Sequence, residues 1–181
     1  MSALSDQYAA QFKTCAIKPE HTAEVQQQVE RIRANRTRYE AVAAKFKGMP
    51  WWAVAVLHSM ECDLNFREHL HNGDPLSART VQVPKGRPTT GKPPFTWEES
   101  AVDALVYDKL DRVTDWSVGN ALVMFENYNG TGYRRKGVPS PYLWSYTDQY
   151  RSGKYTSDGR YDPVAVSKQP GCAALLKLIL G

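Results

Sequence analysis

Two consecutive segments near the start of the chain have patterns of apolar residues that predict helices. Between residues 21 and 47 these residues lie three or four positions apart on a polar background, which predicts one amphipathic helix, or two, on the outside of a domain. The next segment is apolar on all sides from Trp51 to Leu57, and Pro50 before it suits the start of a helix. A helix that is apolar all round is a buried one, so we predict a central helix over residues 51–62.

The pattern changes at residue 76. LSARTVQVP alternates apolar and polar residues well enough for a short strand, and the sequence after it is rich in glycine and proline. Residues 76–95 therefore predict a small β-hairpin or a long ordered loop. Thr96 then predicts the cap of another helix, because Glu98 and Glu99 follow in the first turn.

The last third of the chain contains two helical patterns separated by an irregular region. Apolar spacing predicts helices over residues 117–127 and 172–181, whereas residues 128–163 are rich in glycine, tyrosine and proline and predict loops and turns. We find no internal repeat, linker or low-complexity tract. The sequence therefore predicts a single domain over residues 1–181, of mainly α class (α+β) with a small β-hairpin.

The composition is that of an ordinary globular protein, with 42% apolar and 23% charged residues, and it excludes a disordered chain. A net charge of +4 mildly favours an anionic partner, whether nucleic acid, an acidic membrane or a cell-wall polymer. Ten tyrosines and five tryptophans offer flat apolar faces with polar edges. Such rings suit sugars and nucleobases, and they suit cores and interfaces equally well.

Neither a membrane span nor a secretory signal is visible. No stretch approaches the roughly 18 apolar residues that a span needs, and the N-terminus lacks a basic start followed by an apolar run. Cys15, Cys62 and Cys172 are odd in number and irregularly spaced, so they describe no disulfide framework, although one bridge plus a free thiol is compatible with them. We expect synthesis in a reducing cytoplasm and no stable membrane insertion.

Residues 58–76, HSMECDLNFREHLHNGDPL, concentrate groups that bind metals or transfer protons. His58 and Cys62 lie four apart and share a helix face, and His69 and His71 supply two more possible zinc ligands. The segment contains neither H-E-x-x-H nor C-x-x-C, the spacings typical of zinc sites. We therefore predict no metal, and zinc remains the alternative.

Glu61 occupies the C-terminal end of the predicted buried helix. Low polarity around a buried carboxyl raises its pKa, and the negative end of the helix dipole acts in the same direction. A carboxylic acid that stays neutral near pH 7 is what cleavage of a glycosidic bond needs as general acid. The alternative is a solvent-exposed glutamate just past a helix end.

A second candidate segment, residues 128–133, follows an apolar helix with the sequence YNGTGY. Its glycines allow backbone to approach a ligand closely, and Asn129 can both donate to and accept from a sugar amide. Tyr128 and Tyr133 can stack or form hydrogen bonds. A tight turn without function is the alternative.

The two segments together resemble the lysozyme superfamily, most closely the goose-type lysozymes and soluble lytic transglycosylases. In that branch a glutamate stands in a Glu-Ser-x-Phe context, and a later Ala-Tyr-Asn-x-Gly motif lies beside it in the cleft. Residues 61–66 (ECDLNF) and 127–130 (NYNG) occupy those places here. The stretches NFREHLHNGDPL and GVPSPYLWS, with Tyr155, also resemble phage and bacterial peptidoglycan hydrolases, so the resemblance covers residues 50 to 160.

The sequence departs from the family pattern at three places. Cys62 replaces the serine after the glutamate, Asn127 replaces the alanine before the tyrosine, and Thr131 stands in place of the last glycine. The family also assigns no second catalytic carboxylate, because the phage-type spacing Glu-x8-Asp-x5-Thr is absent. Asp74 is our candidate for it, and a simple turn residue is the alternative.

The resemblance implies a lysozyme-like domain with the hairpin beside a cleft, which cuts peptidoglycan between N-acetylmuramic acid and N-acetylglucosamine. Glu61 would protonate the leaving oxygen, and His71, Asn72, Tyr128, Asn129 and Tyr133 would bind the sugars, with no cofactor. We expect a monomeric phage-type endolysin that reaches the host cell wall after release and binds no nucleic acid. The rival hypotheses are a zinc-dependent amidase or peptidase using His58, Cys62, His69 or His71, and a non-catalytic wall-binding module.

Overall fold

The computed structural model describes residues 2–157 and 159–181, and its class is mainly α with one small antiparallel sheet, as the sequence predicts. The α-helices in these residues are α1 (Ala3–Thr14), α2 (Thr22–Ala34), α3 (Arg36–Ala43), α4 (Trp51–Cys62), α5 (Trp97–Tyr107), α6 (Val118–Asn129), α7 (Gly132–Arg135), α8 (Pro141–Trp144) and α9 (Cys172–Leu180). Short 3₁₀ turns cover Pro19–His21 and Leu110–Arg112. The sheet pairs β1 (Lys154–Ser157) with β2 (Arg160–Asp162).

The chain divides into two compact units. The first contains the residues up to Glu30 together with Ser117–Gly181, and the second contains Arg31–Trp116. The expectation of one domain over residues 1–181 stays a prediction.

In the second unit, α3 packs against α4 and α5. Every residue of α4 from Ala53 to Met60 is buried, which confirms the predicted central helix. Thr96 caps α5 as predicted, because its hydroxyl accepts from the Glu99 amide while the Glu99 carboxylate accepts from the Thr96 amide. The polar segment before α4 forms α2 and α3, the two-helix alternative of the sequence analysis.

Residues 63–96, all of which the structure describes, form the long ordered loop rather than the hairpin. Their strand-like pairing is limited to an isolated bridge between Glu68 and Pro75. The two paired strands of the fold lie instead at Lys154–Ser157 and Arg160–Asp162, in the region that the sequence predicts as loops and turns. Hydrogen bonds from the loop to α5, together with bonds within the loop to Asp74, take the place of strand pairing.

In the first unit, α1 packs along α6, and α8 lies against α6 and α9. Helix α1 is not among the helices predicted from the sequence. The contact is close at Gly119, where any Cβ would overlap the backbone oxygen of Ser5. Glycine is therefore needed at this position in α6 for the two helices to meet.

The described residues contain no helix long and apolar enough to cross a membrane. Cys15, Cys62 and Cys172 are all buried free thiols. The alternative of one bridge is therefore not the state that this structure adopts.

Candidate functional site

Glu61 stands in the last turn of α4 with its side chain exposed to solvent, between the buried residues Met60 and Cys62. The predicted burial of Glu61 is therefore wrong, because the outward-facing side of α4 begins at its final turn. Asp63 ends the helix in the left-handed conformation, at φ 44°, and donates its amide to the His58 carbonyl. The carboxyl is thus presented to solvent from a fixed helix end.

His58 and Cys62, two of the candidate zinc ligands, belong to the core of the second unit. Nδ1 of His58 lies 3.1 Å from the Tyr39 hydroxyl, and burial lowers the pKa of His58 to about 4. Burial raises the pKa of the Cys62 thiol to about 12, so the metal-binding thiolate is disfavoured. The thiol points at the His69 carbonyl, 3.6 Å away.

The imidazoles of His69 and His71 attach the long loop to α5. His69 uses both ring nitrogens, with Nδ1 2.7 Å from Ser100 Oγ and Nε2 2.8 Å from the Ala78 oxygen. His71 places Nε2 2.8 Å from Asp103, and its side chain has no exposed surface. Among the residues described, no three His, Cys, Asp or Glu side chains form a group that could hold a metal ion.

Asp74 is buried, and its carboxylate organises the loop around it. It accepts hydrogen bonds from the amides of Val81 and Gln82 at 2.8 and 3.0 Å and from the side chains of Gln82 and Asn72 at 3.2 and 3.1 Å. The hydrogen bond from the Gln82 amide is the largest cause of a lowered Asp74 pKa. Asn72 in turn accepts from the Asp74 amide at 3.0 Å. Asn72 and Asp74, both predicted as site residues, therefore form part of one hydrogen-bonded turn.

The second candidate segment closes α6 in the first unit. Tyr128 is half-buried, Asn129 is exposed, and Gly130 follows with a φ of 98°. Just before them Glu126 is 1% exposed and accepts from the Tyr8 hydroxyl at 2.8 Å and from Arg134 at 3.0 Å. This ion pair fixes the turn of chain between α6 and α7.

Two adjoining cavities of the first unit share Asn129 and Tyr133 in their walls. The Lys154 cavity, of about 300 Å³, is lined by Asn129, Tyr133, Pro141, Tyr142, Lys154, Ser167, Lys168 and Gln169. The Tyr155 cavity, of about 580 Å³, is lined by Asn129, Gly132, Tyr133, Arg135, Tyr155, Thr156, Ser157 and Gly159. The structure thus brings two predicted site residues together at a concave, polar and aromatic surface.

Tyr133 connects this surface to the hairpin. Its hydroxyl accepts from the Tyr155 amide at 3.0 Å, and its ring meets Tyr155 and Tyr161 edge to face. Because these tyrosines support one another, the hairpin wall of the Tyr155 cavity is held in place. The aromatic residues of the last third are therefore ordered rather than loose.

Sequence reasoning missed Lys154, Lys168, Glu126 and Asp103. Lys154 directly precedes Tyr155, whereas Lys168 lies in a segment without aromatic residues, so no local pattern relates the two lysines. Glu126 and Asp103 sit among apolar residues of predicted helices. A charged residue within such a pattern is a sign of a buried partner.

Comparison of the chain with protein-family models, curated proteins and solved structures finds no match.

Proposed function

We propose that this chain cleaves the glycan strand of peptidoglycan between N-acetylmuramic acid and N-acetylglucosamine, with Glu61 as the general acid. The observation that supports it is the position of Glu61, an exposed carboxyl on the last turn of a helix that is buried from Ala53 to Met60. Sites built on rigid helices hold catalytic groups more precisely than loops do. A bound glycan would itself cover the carboxyl and exclude water from it.

The two cavities of the first unit support a sugar polymer as the ligand. They combine tyrosine rings with amide, hydroxyl and ammonium groups, and Asn129 is exposed in both walls. Sugars present apolar faces and many hydroxyls, which rings and such donors match. We propose that the first unit binds glycan by itself, through Asn129, Tyr133 and Tyr128.

The mechanism that fits these residues uses a single acid. Glu61 donates its proton to the glycosidic oxygen, the bond breaks, and the oxocarbenium-like centre is captured by water or by the muramyl 6-hydroxyl, whose proton the Glu61 carboxylate takes up. Water gives hydrolysis, and the 6-hydroxyl gives a 1,6-anhydro sugar. Asp74 is not assigned a step, since its carboxylate is engaged by loop amides.

Glu61→Gln tests the proposal, because it keeps the side-chain shape and removes the transferable proton. General acid catalysis contributes about 10²–10⁴-fold, so we expect the folded variant to lose wall lysis to that extent. Glu40→Gln, an exposed glutamate of α3 in the same unit, is the matched control and keeps full activity. Mass spectrometry of the products identifies the bond that is cut.

Two outcomes favour the rivals. Lysis that survives Glu61→Gln but disappears with EDTA and returns with zinc indicates a metal-dependent amidase or peptidase. Binding to purified walls without any released product indicates a non-catalytic wall-binding module. Either result removes the glycosidase proposal.

A further inference from the structure

Two lysines face the same small cavity in the first unit. Lys154 begins β1, and Lys168 lies in the segment before α9. Both line the Lys154 cavity, whose other polar groups are amides and hydroxyls. No carboxylate stands among the described residues that line it, so the cavity carries positive charge and many hydrogen-bond donors.

A buried hydroxyl joins the two segments that carry these lysines. The Tyr150 side chain is 1% exposed, and its oxygen lies 3.3 Å from the carbonyl oxygen of Gly153, next to Lys154. The same oxygen accepts from the amide of Ser167, next to Lys168, at 3.2 Å. The amide of Gly153 also donates to Ala165 at 2.8 Å. The fold therefore holds together the two backbone segments that carry these lysines.

Neither lysine is neutralised within the part of the chain that the structure describes. No salt bridge to Lys154 or Lys168 occurs there, although Asp162 is the cross-strand partner of Lys154. Oδ1 of Asp162 instead accepts from the amides of Val164 and Ala165 at 2.9 and 3.2 Å. Two like charges in one cavity repel each other, and an anionic ligand relieves that repulsion.

We infer that the Lys154 cavity is a subsite for a carboxylate, held between the ammonium groups of Lys154 and Lys168. Resting on the proposed function, this carboxylate is one that a peptidoglycan strand carries, on the lactyl group of a muramyl sugar without a peptide or on the peptide where one is attached. The amides of Asn129 and Gln169 add neutral donors, and the ring of Tyr133 adds an apolar wall. Lysine and carboxylate form charge-assisted hydrogen bonds, which are roughly twice as strong as neutral ones.

The test compares ligands that differ by the carboxylate. N-acetylmuramic acid and N-acetylglucosamine share a ring and differ in the lactyl ether, and an alanyl-γ-glutamyl peptide supplies the carboxylate without the sugar. Binding to the Glu61→Gln protein is followed by NMR at low salt, at the backbone amides of residues 153–156 and 167–169. We expect an anionic ligand to bind there about tenfold more tightly than N-acetylglucosamine, the equivalent of one charge-assisted hydrogen bond.

Matched lysine variants distinguish binding in the Lys154 cavity from a general attraction of the anionic ligand to the net positive charge of the protein. Lys154→Met and Lys168→Met each lower the affinity for the anionic ligand, by roughly tenfold for one lost charge-assisted contact. Lys13→Met removes the same charge from an exposed position on α1 of the same unit and leaves the affinity unchanged. Whichever of the sugar acid and the peptide binds more tightly identifies the source of the carboxylate.

Three results overturn the inference: equal binding of the neutral and anionic sugars, an equal loss in Lys13→Met, or inorganic phosphate binding as tightly as the best carboxylate. None of these measurements depends on turnover. If Glu61→Gln keeps lytic activity while the lysine variants lose the anionic ligand, the catalytic assignment fails and the carboxylate subsite stands. If Glu61→Gln loses lytic activity while the lysine variants still bind the anionic ligand, the subsite is excluded and the proposed function stands.

Discussion

Nε2 of His71 lies 2.8 Å from Oδ2 of Asp103, and the histidine side chain has no exposed surface. Arg87 donates to both oxygens of the same carboxylate, at 2.8 and 2.9 Å. One carboxylate of α5 thus fixes two points of the long loop. His71 thus attaches the loop to α5, and its contact with sugar stays a prediction.

Asp103→Asn should lower the free energy of unfolding by roughly 1–3 kcal/mol. The asparagine side chain has one acceptor oxygen in place of two, and its NH₂ group would face an N–H donor of Arg87 or His71. Chemical denaturation measures the loss. Glu40→Gln is the comparison, since the Arg36–Glu40 pair is about half exposed on both sides and such pairs contribute roughly 0–1 kcal/mol. An equal effect of the two substitutions would show that the Asp103 network contributes no more than a surface ion pair.

Asp74→Asn distinguishes a structural carboxylate from a catalytic one. The substitution weakens the hydrogen bonds from Val81, Gln82 and Asn72, so we expect a loss of about 1–2 kcal/mol in stability. Lytic activity per folded molecule should change little. Melting temperature and lytic activity are measured on the same preparation of Asp74→Asn. An unchanged melting temperature with abolished activity would instead establish Asp74 as the second catalytic group.

His58 makes stability depend on pH. Burial lowers its folded pKa to about 4, and the nearby guanidinium groups of Arg38 and Arg31 act in the same direction. The unfolded histidine titrates near its ordinary value of about 6.5. Between these values the unfolded chain binds a proton that the folded chain does not, so stability is full above about pH 6.5 and falls as the pH drops towards 4.

The size of this effect follows from the difference of the two pKa values. It amounts to at most roughly 3 kcal/mol between neutral pH and pH 4. Urea unfolding gives the free energy of unfolding of the parent and of His58→Gln at each pH in this range. The effect is the difference between the two proteins in the slope of that free energy against pH. Parallel curves for the two proteins would contradict a buried neutral histidine at this position.

Asn129 and Tyr128 should affect activity more than stability. Asn129 is exposed at the end of α6, so Asn129→Ala leaves the melting temperature nearly unchanged, and losing a polar sugar contact costs roughly 1–3 kcal/mol of transition-state binding. Tyr128→Phe keeps the ring and tests the hydroxyl alone. Rate and melting temperature are measured on both variants, and unchanged rates in the two would exclude this motif from the proposed glycan contacts of the first unit.

Tyr133→Phe is the contrasting control. Its hydroxyl accepts from the Tyr155 amide inside the structure, so the substitution should lower stability through the hairpin. A stability loss here, beside unchanged stability in Asn129→Ala, separates the residue that supports the cavity from the one that is exposed in it.

The sequence by itself determined the elements whose causes are local. The bounds of α4 follow from an apolar run after Pro50, and the start of α5 follows from Thr96 and Glu99, which satisfy each other's amides within one turn. The Asn-Gly-Asp-Pro turn is equally local, since Asn72 and Asp74 bond to each other. Backbone propensity and capping act over a few residues, so such features can be predicted from spacing.

The tertiary structure decided which of the predicted groups face solvent and which residues meet. Glu61 is exposed, the opposite of its predicted environment, and the His71 side chain has no exposed surface, because burial depends on which distant segments pack against a given turn. Lys154 and Lys168 share a cavity because the Tyr150 hydroxyl binds both neighbouring backbones, and no local pattern encodes that contact. Local preferences fix where helices begin and end. The environment of a side chain arises from contacts between residues far apart in sequence, so it cannot be predicted from one segment alone.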